Sequence, residues 1–566
     1  MREACAPFCL TEERKMKVSI LGREKEYDLN RSPVSVFRAL MELAPEYKNR
    51  ALGCFCGGQA LELNEMLTQD CTLHPITFQN EEGRRIYERT LRFVLLMAVK
   101  RVLGETCRVR IEHSIGYGVY MRFLDRDADE ATVARIEAEM RKIAREDLPL
   151  RKEKWTREEA IRYFAEHGME EKAHLLSYRP YDYFYVYRCG DMAEYFYGAM
   201  LPSTMYAQVF QLKHHAPGMV LQMPSPEDMT VPAPFVEREK NLQVFAQSNR
   251  WCDILGCKNA ADLNDMTVGG KLREFIRVNE ALHDKSIGDI ADGIVQKGAR
   301  AVFVAGPSSS GKTTFSNRLC IHLKVLGKKP VLISLDDFYL DQHTLPREAD
   351  GKPDLEALSA LDVDYFRVCM QKLLCGEQAQ MPRFDFTTKK RSPVYCPMQL
   401  TEGQILVVEG IHGLNPRMHE GLDEKLIAKV YISQLTCLNL DHHNRIRTTD
   451  ARLLRRIVRD YQFRATPPEE TLAMWNSVRR GEEKWIFPYQ EQADFMFNSA
   501  LHYELPVLKK YAYDMLMQIP PENECYLAAR RLIKILHYLV PAPDDVMQEI
   551  PPLSLLREFI GGCTFY

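Results

Sequence analysis

The stretch Val302–Phe315, VFVAGPSSSGKTTF, decides how the C-terminal half of the chain is to be read. Gly306, Gly311, Lys312 and Thr313 satisfy the spacing G-x-x-x-x-G-K-[ST], with an apolar run before it and a helix-forming segment after it. Glycines at this spacing let backbone N–H groups turn inward around phosphate oxygens at a helix N-terminus, where the macrodipole also favours negative charge. A lysine at 312 then reaches the outer phosphates, and a hydroxyl at 313 can ligate Mg2+. A nucleotide site built from Gly306, Ser308, Ser309, Ser310, Gly311, Lys312, Thr313 and Thr314, taking ATP and Mg2+, is the expectation.

Working outward, the chain from Gly298 alternates strand, turn and helix, and continues through KPVLISLDD, QILVVEG, AKVYIS and ADFMFNSA. Each is a short apolar run suited to a buried parallel strand. Phosphoryl transfer to a hydroxyl also needs a general base and an acid near the metal. Asp336 and Asp337 follow the strand Val331 to Ser334, and Glu409 ends another apolar run, both at the edge where open α/β sheets bind ligands. Arg452, Arg455, Arg456 and Arg459 recur at helical spacing, with Arg464 five residues on, and predict a mobile basic lid over the nucleotide.

The composition sets bounds on the other 300 or so residues. A chain of 566 residues implies several domains. The 75 basic and 78 acidic side chains leave a net charge of -3, which argues against a strong, salt-sensitive polyanion binder. The 16 cysteines are scattered without paired CxxC spacing, so a reduced interior is expected. The N-terminus MREACAPFCL is not followed by an apolar signal region, and the longest apolar run, FVLLMAV, is far short of the ~20 residues that span a bilayer. A cytoplasmic protein without membrane contact is expected. The Pro-rich MPSPEDMTVPAPF marks a domain boundary.

GPSSSGKTTFSNRL, ISLDDFY, PRFDF, VVEGIHGLN and RLLRRIVRDYQFR resemble, in the same order, the motifs of the uridine kinase and phosphoribulokinase family. The resemblance implies that Asp336 deprotonates a ribose 5'-hydroxyl, that Lys312 and Thr313 contact phosphate and Mg2+, and that Glu409 is the metal-associated acid. It makes Arg456, Arg459 and Arg464 the lid, with Arg456 and Arg459 catalytic and Arg464 on the nucleotide. It places Tyr339, Glu356, Phe384, Asp385 and Arg391, together with Asp336, around a nucleoside. Phe384 stands where uridine kinases usually have Tyr, and Glu356 where they usually have Asp.

The N-terminal half resembles two modules of threonyl-tRNA synthetases, a TGS β-grasp domain and the second additional (editing) domain. FVLLMAVKRVLG, IGYGVYMRF and YRCGDMAEY carry the second likeness. Editing needs an HxxxH pair plus a Cys and a His. Arg89 and Phe93 occupy the helix positions here, Cys189 remains, and Ala193 replaces the last His, so loss of that activity is expected. Cys189 and His113 are expected to be packed rather than reactive.

The resulting expectation is a multidomain α+β and α/β protein. It comprises a TGS-like β-grasp domain (16–79), an editing-like α+β domain (80–238), a helical linker (239–297), a P-loop α/β kinase domain with a parallel sheet (298–520) and a helical extension (521–566). The leading reading is an ATP- and Mg2+-dependent nucleoside kinase, with uridine or cytidine as acceptor. Alternatives left open are a kinase of another small hydroxylated acceptor and an ATP-sensing regulator that binds RNA or tRNA through the N-terminal domains. A TGS-type GTPase is disfavoured by the lack of an N-K-x-D signature. An oligomer is left open.

Overall fold

The computed structural model describes residues 15–30, 32–347, 351, 353–385, 388 and 390–565; Cys5, Cys9 and Phe386 of the quoted stretches lie outside them. The chain divides into two compact units. One holds the residues up to Val236 with Ile519–Arg531, and the other holds Glu237–Gln518 with Leu532–Tyr566.

The first unit opens with a five-stranded sheet ordered Arg23–Asp28, Lys15–Ile20, Cys71–Thr77, Ala51–Cys56, Gln59–Leu61. The strand Lys15–Ile20 alternates exposed and buried residues, so one face meets the core and the other meets water. The helix Val36–Leu43, capped by Ser35 through the Arg38 amide, buries Val36, Ala39, Leu40 and Leu43 at helical spacing against that face.

A 23-residue helix, Glu81–Leu103, follows. It is buried nearly all round, and its Leu91, Phe93, Val94 and Leu95 share one core with Ile76 of the sheet, with Phe78 just past that strand, and with Ile111, Met121, Ile136 and Leu221. The two modules distinguished in the sequence are therefore continuous in packing. Arg89 on that helix donates to Glu82 and to the Ala199 carbonyl, both at 3.0 Å. Phe93, Cys189 and Ala193 are buried, and burial pushes the Cys189 thiol up. His113 stacks on Tyr120 at 5.0 Å between ring centroids.

The second unit is built on a parallel sheet. In chain order its strands are β1 (Ala301–Ala305), β2 (Lys329–Ser334), β3 (Gln404–Glu409), β4 (Ile427–Ser433) and β5 (Phe495–Asn498), arranged 2-3-1-4-5. Apolar layers cover both faces. Val302, Val304 and Val407 pack with Phe315 and Leu319 of the P-loop helix Lys312–Val325. Phe303, Leu406 and Val408 pack with Phe366, Met370 and Leu373 of the helix Val363–Leu374. Ile287, Ile290 and Ile294 of the helix Leu272–Lys297 belong to the first of these layers. The stretch expected as a linker thus ends in a core helix of this unit, because its apolar residues recur at the spacing that lines one helix face. The expected C-terminal extension is divided as well, with its first residues in the other unit. Among the described residues no helix is long and apolar enough to cross a membrane.

Candidate active site

Register levels the strand ends. Val304 and Ser334 both pair with Glu409, so the turns after β1, β2 and β3 open at one edge of the sheet. Gly306 leaves β1 so close to β4 that a Cβ there would overlap the Ile432 carbonyl. Gly311 adopts φ 86°, in the left-handed region that suits glycine, and turns the chain into the P-loop helix. Lys312 Nζ donates back to the Pro307 carbonyl at 3.3 Å.

Two carboxylates meet the start of this helix. Thr313 Oγ1 donates to Glu409 Oε1 at 3.5 Å, and Ser334 Oγ donates to the same oxygen at 3.2 Å. Burial pushes the Glu409 carboxyl up, the Asp336 charge adds to it, and Lys312 opposes both. Asp336 is pushed up as well, by burial first and by Asp337, with Lys312 and Arg464 opposing. A buried carboxyl raised further by a neighbouring acid, beside a lysine and a hydroxyl, supplies hard oxygen donors, and a divalent cation would relieve that repulsion. Thr313 and Glu409 are the residues that would hold Mg2+. Among the described residues no cluster of three or more His, Cys, Asp or Glu could hold a metal ion.

Around Asp336 lies an aromatic and acidic wall. Tyr339 and Phe384 rings stand 5.8 Å apart, and Tyr339 Oη donates to the Leu355 carbonyl. The Phe384 amide donates to Asp337 Oδ1 at 3.2 Å, so Asp337 positions the hairpin that carries Phe384 and Asp385. Asp385 itself is exposed. Arg391 is a tether: its guanidinium donates to Asp362 Oδ2 and to the Phe338 carbonyl. Glu356 has its carboxyl raised to about 7 by burial and by Glu482, with Arg456 and Lys312 opposing. Gly481 permits this approach, since a Cβ there would fall 2.8 Å from Glu356 Cγ.

The arginine helix Thr448–Arg464 corrects one expectation. Arg452 and Arg455 do not form part of a mobile basic face; they are 1% and 0% exposed. Arg452 is ion-paired with Glu482 and donates to the Ser308 carbonyl at 2.9 Å, while Arg455 is ion-paired with Glu504 and donates to the Ser499 carbonyl. The reason is packing: that face of the helix lies against the helices Pro468–Trp485 and Glu504–Met517, which present those acids. Arg456 reaches Ser308 Oγ at 2.9 Å. Arg459 pairs with Asp460, and the exposed Arg464 lies 3.6 Å from the same carboxylate.

Two residues escaped the sequence reading. Glu482, fully buried, accepts from the Ser308 amide at 3.2 Å and from Arg479 at 2.8 Å. Glu558 accepts from Thr314. Glu482 lies in no motif, Glu558 lies in the C-terminal stretch LLREFIGG to which no site role was given, and only the fold brings both to the P-loop.

A P-loop at the carboxyl edge of a parallel sheet, with acids flanking its Lys and Thr, defines the class of P-loop phosphotransferase domains. Residues 301–505 match the profile of the Phosphoribulokinase / Uridine kinase family. Among solved structures, the C-terminal region is similar to a "possible uridine kinase" from Bacillus stearothermophilus, with 17% identity, TM-score 0.27, and 38% of this chain and 98% of that one covered. It is also similar to D-glycerate 3-kinase from Cryptococcus neoformans, with 17% identity, TM-score 0.27, and 39% and 89% covered. The N-terminal region matches threonine–tRNA ligases. That of Symbiobacterium thermophilum is 32% identical over 193 residues, or 34% of this chain and 29% of the ligase. That of Thermotoga petrophila is 30% identical over 202 residues, or 35% and 30%. The chain thus spans about three-tenths of the length of these curated relatives.

Proposed function

We propose that the second unit is an ATP-dependent kinase that phosphorylates a hydroxyl of a small acceptor, and that the acceptor is a nucleoside bearing a free 5'-hydroxyl. The observation that carries the reading is Asp336, a buried acid just past the end of β2 that feels the P-loop lysine and in turn acts on Tyr339 of the aromatic pair. The acceptor O–H gives its proton to the Asp336 carboxylate as its oxygen bonds the γ-phosphorus. The bond from that phosphorus to the β–γ bridging oxygen breaks, and ADP leaves with the electron pair. Mg2+, when bound, neutralises charge on the phosphate oxygens. Lys312 and Arg456 supply positive charge around the same loop, and Arg464 sits close enough to Asp336 to affect its ionisation. The Tyr339–Phe384 pair favours an acceptor with a flat apolar part, as a nucleobase has.

The test is ADP release by the full chain with Mg-ATP and a panel of uridine, cytidine, adenosine, guanosine, thymidine, a pentose and a hydroxy acid, with Asp336→Asn beside it. Turnover with a pyrimidine nucleoside, lost in the variant by a factor of about 10²–10⁴, is the expected result. Turnover with the pentose or hydroxy acid alone would move the acceptor and keep the kinase. Silence across the panel would refute the reading.

A second reading concerns the first unit, as a binder of RNA such as tRNA. One strand face carries Lys152 and Lys154 beside the half-exposed Tyr183 and Tyr185, with Lys154 Nζ 4.0 Å from the Tyr183 ring centroid. Cations interleaved with aromatic platforms suit stacked bases and phosphates. Filter binding of tRNA at low and moderate salt, with Tyr183→Ala and Lys154→Ala, decides it; retention unaffected by either substitution would remove it.

A further inference from the structure

The C-terminal segment Ser554–Ile560 meets the P-loop helix. Leu555 is fully buried among Val304, Phe315, Leu319 and Phe497, and its Cδ2 stands where a Cβ on Gly311 would fall. The segment is anchored on several sides. Ser554 Oγ and Tyr503 Oη both donate to Glu280 Oε1 at 2.6 Å, and Arg557 donates to the carbonyls of Met547 and Ile550 at 2.9 and 2.8 Å. The Phe559 ring lies 5.1 Å from the Arg455 guanidinium.

This frame aims one acid at the first turn of the P-loop helix. Glu558 Oε2 accepts from Thr314 Oγ1 at 2.7 Å and from the Thr314 amide at 3.3 Å. Those donors belong to the N-terminal set that a P-loop offers to phosphate oxygens. Of the other acids around the loop, Glu482 is paired with Arg452 and Arg479, while Glu409 accepts from Thr313 and is raised in part by the Glu558 charge. Among the described residues no cation lies within ion-pair distance of Glu558. Its charge is met by the helix N-terminus, as a bound phosphate's would be.

We propose that Glu558 is a built-in placeholder for a nucleotide phosphate, a self-inhibitory contact in which the chain's own carboxylate holds the slot until ATP displaces it. The proposal rests on the kinase reading and adds its regulation. Leu555 and Phe559 keep the backbone in place, so displacement is a swing of one side chain. The apparent nucleotide affinity is then lowered by the fraction of molecules whose slot is filled, and whatever grips the C-terminal segment tunes that fraction.

The test is calorimetric titration of the full chain with Mg-ATP, comparing the unsubstituted protein with Glu558→Gln and Glu558→Ala, with nucleotide-free melting as the check on folding. A charge-assisted hydrogen bond competing for the slot should cost about tenfold or more in affinity, so both variants should bind at least about tenfold more tightly. Equal or weaker binding by the folded variants overturns the placeholder and leaves the kinase standing. Absence of saturable binding in all three chains overturns both. Hydrogen exchange on the unsubstituted chain gives a second arm. Mg-ATP should slow exchange in peptides covering 306–314 and leave it unchanged in those covering 554–560, where the backbone stays anchored, whereas slowing in both overturns the proposal.

Discussion

Glu482→Ala should destabilise the second unit severely, and the structure supplies the magnitude. Glu482 is fully buried and accepts from Arg452, from Arg479 and from the P-loop amide of Ser308. Its partner Arg452 is 1% exposed and lies 5.3 Å from the Trp475 ring, so no solvent replaces the lost carboxylate. Leaving one member of a buried pair uncompensated costs about 3–5 kcal/mol, a large share of the ~5–15 kcal/mol that holds a domain folded. Replacing both members by apolar side chains of similar volume removes that penalty, so Arg452→Met with Glu482→Leu should recover most of the loss. Three of the four tryptophans, Trp251, Trp475 and Trp485, lie in the second unit, so their fluorescence during heating reports mainly on it. At roughly 2 °C per kcal/mol for a unit of this size, the single variant should melt about 6–10 °C lower and the double variant within about 4 °C of the unsubstituted chain. A single variant that melts within about 2 °C, or a double variant no better than the single, would refute the reasoning.

The raised Glu356 carboxyl, about 7 when folded against an ordinary 4.5, binds its proton more tightly in the folded state, so its contribution is fully present below about 4.5 and is lost as pH rises through 7. Glu356→Gln should therefore stabilise the unit by up to about 3 kcal/mol at pH 8 and by almost nothing at pH 4, read from denaturant midpoints at the two values; equal effects at both would count against the shift. Gly481→Ala must push against Glu356, and should lose about 1–2 kcal/mol even after the helix-propensity gain of ~1 kcal/mol, with a change in acceptor KM as the functional readout. Glu409→Gln should leave the fold stable and raise the Mg2+ concentration needed for half-maximal ADP release by about tenfold or more; an unchanged Mg2+ requirement would remove Glu409 from the metal site.

The parallel sheet and its P-loop were legible because each strand is a short apolar run and the loop carries a spacing that only phosphate binding explains. Asp336 and Glu409 were legible for a related reason, since acids at the ends of buried strands must lie at the sheet's carboxyl edge. The arginine helix shows where such reading stops. Helical spacing grouped Arg452 and Arg455 with Arg456 and Arg459, but could not show that the first two would meet Glu482 and Glu504 in the interior. Glu482 and Glu558 were illegible for the same reason. Glu482 lies 174 positions from Ser308 and Glu558 lies 244 from Thr314, so only tertiary packing brings them together. In the N-terminal half, the continuity of one core across both modules needed the structure.

The acids around the P-loop have a common physical logic. A loop that concentrates N–H donors, a lysine and nearby arginines for a polyanion is electrostatically unfavourable to leave empty. Here carboxylates meet that charge: Glu482 at the Ser308 amide, Glu558 at Thr314, and Glu409 at Thr313. They differ in how firmly they are held. Glu482 is locked by two guanidinium groups and stays as scaffold, whereas Glu409 is raised by burial and then by Asp336, with Lys312 working against that rise. Glu558 is held by hydrogen bonds alone and can leave. Mg-ATP would supply a cation to the acids that repel each other and an anion to the donors that Glu558 occupies. Both halves of the ligand then act in the same direction, and the nucleotide completes a charge balance that the chain by itself meets only in part.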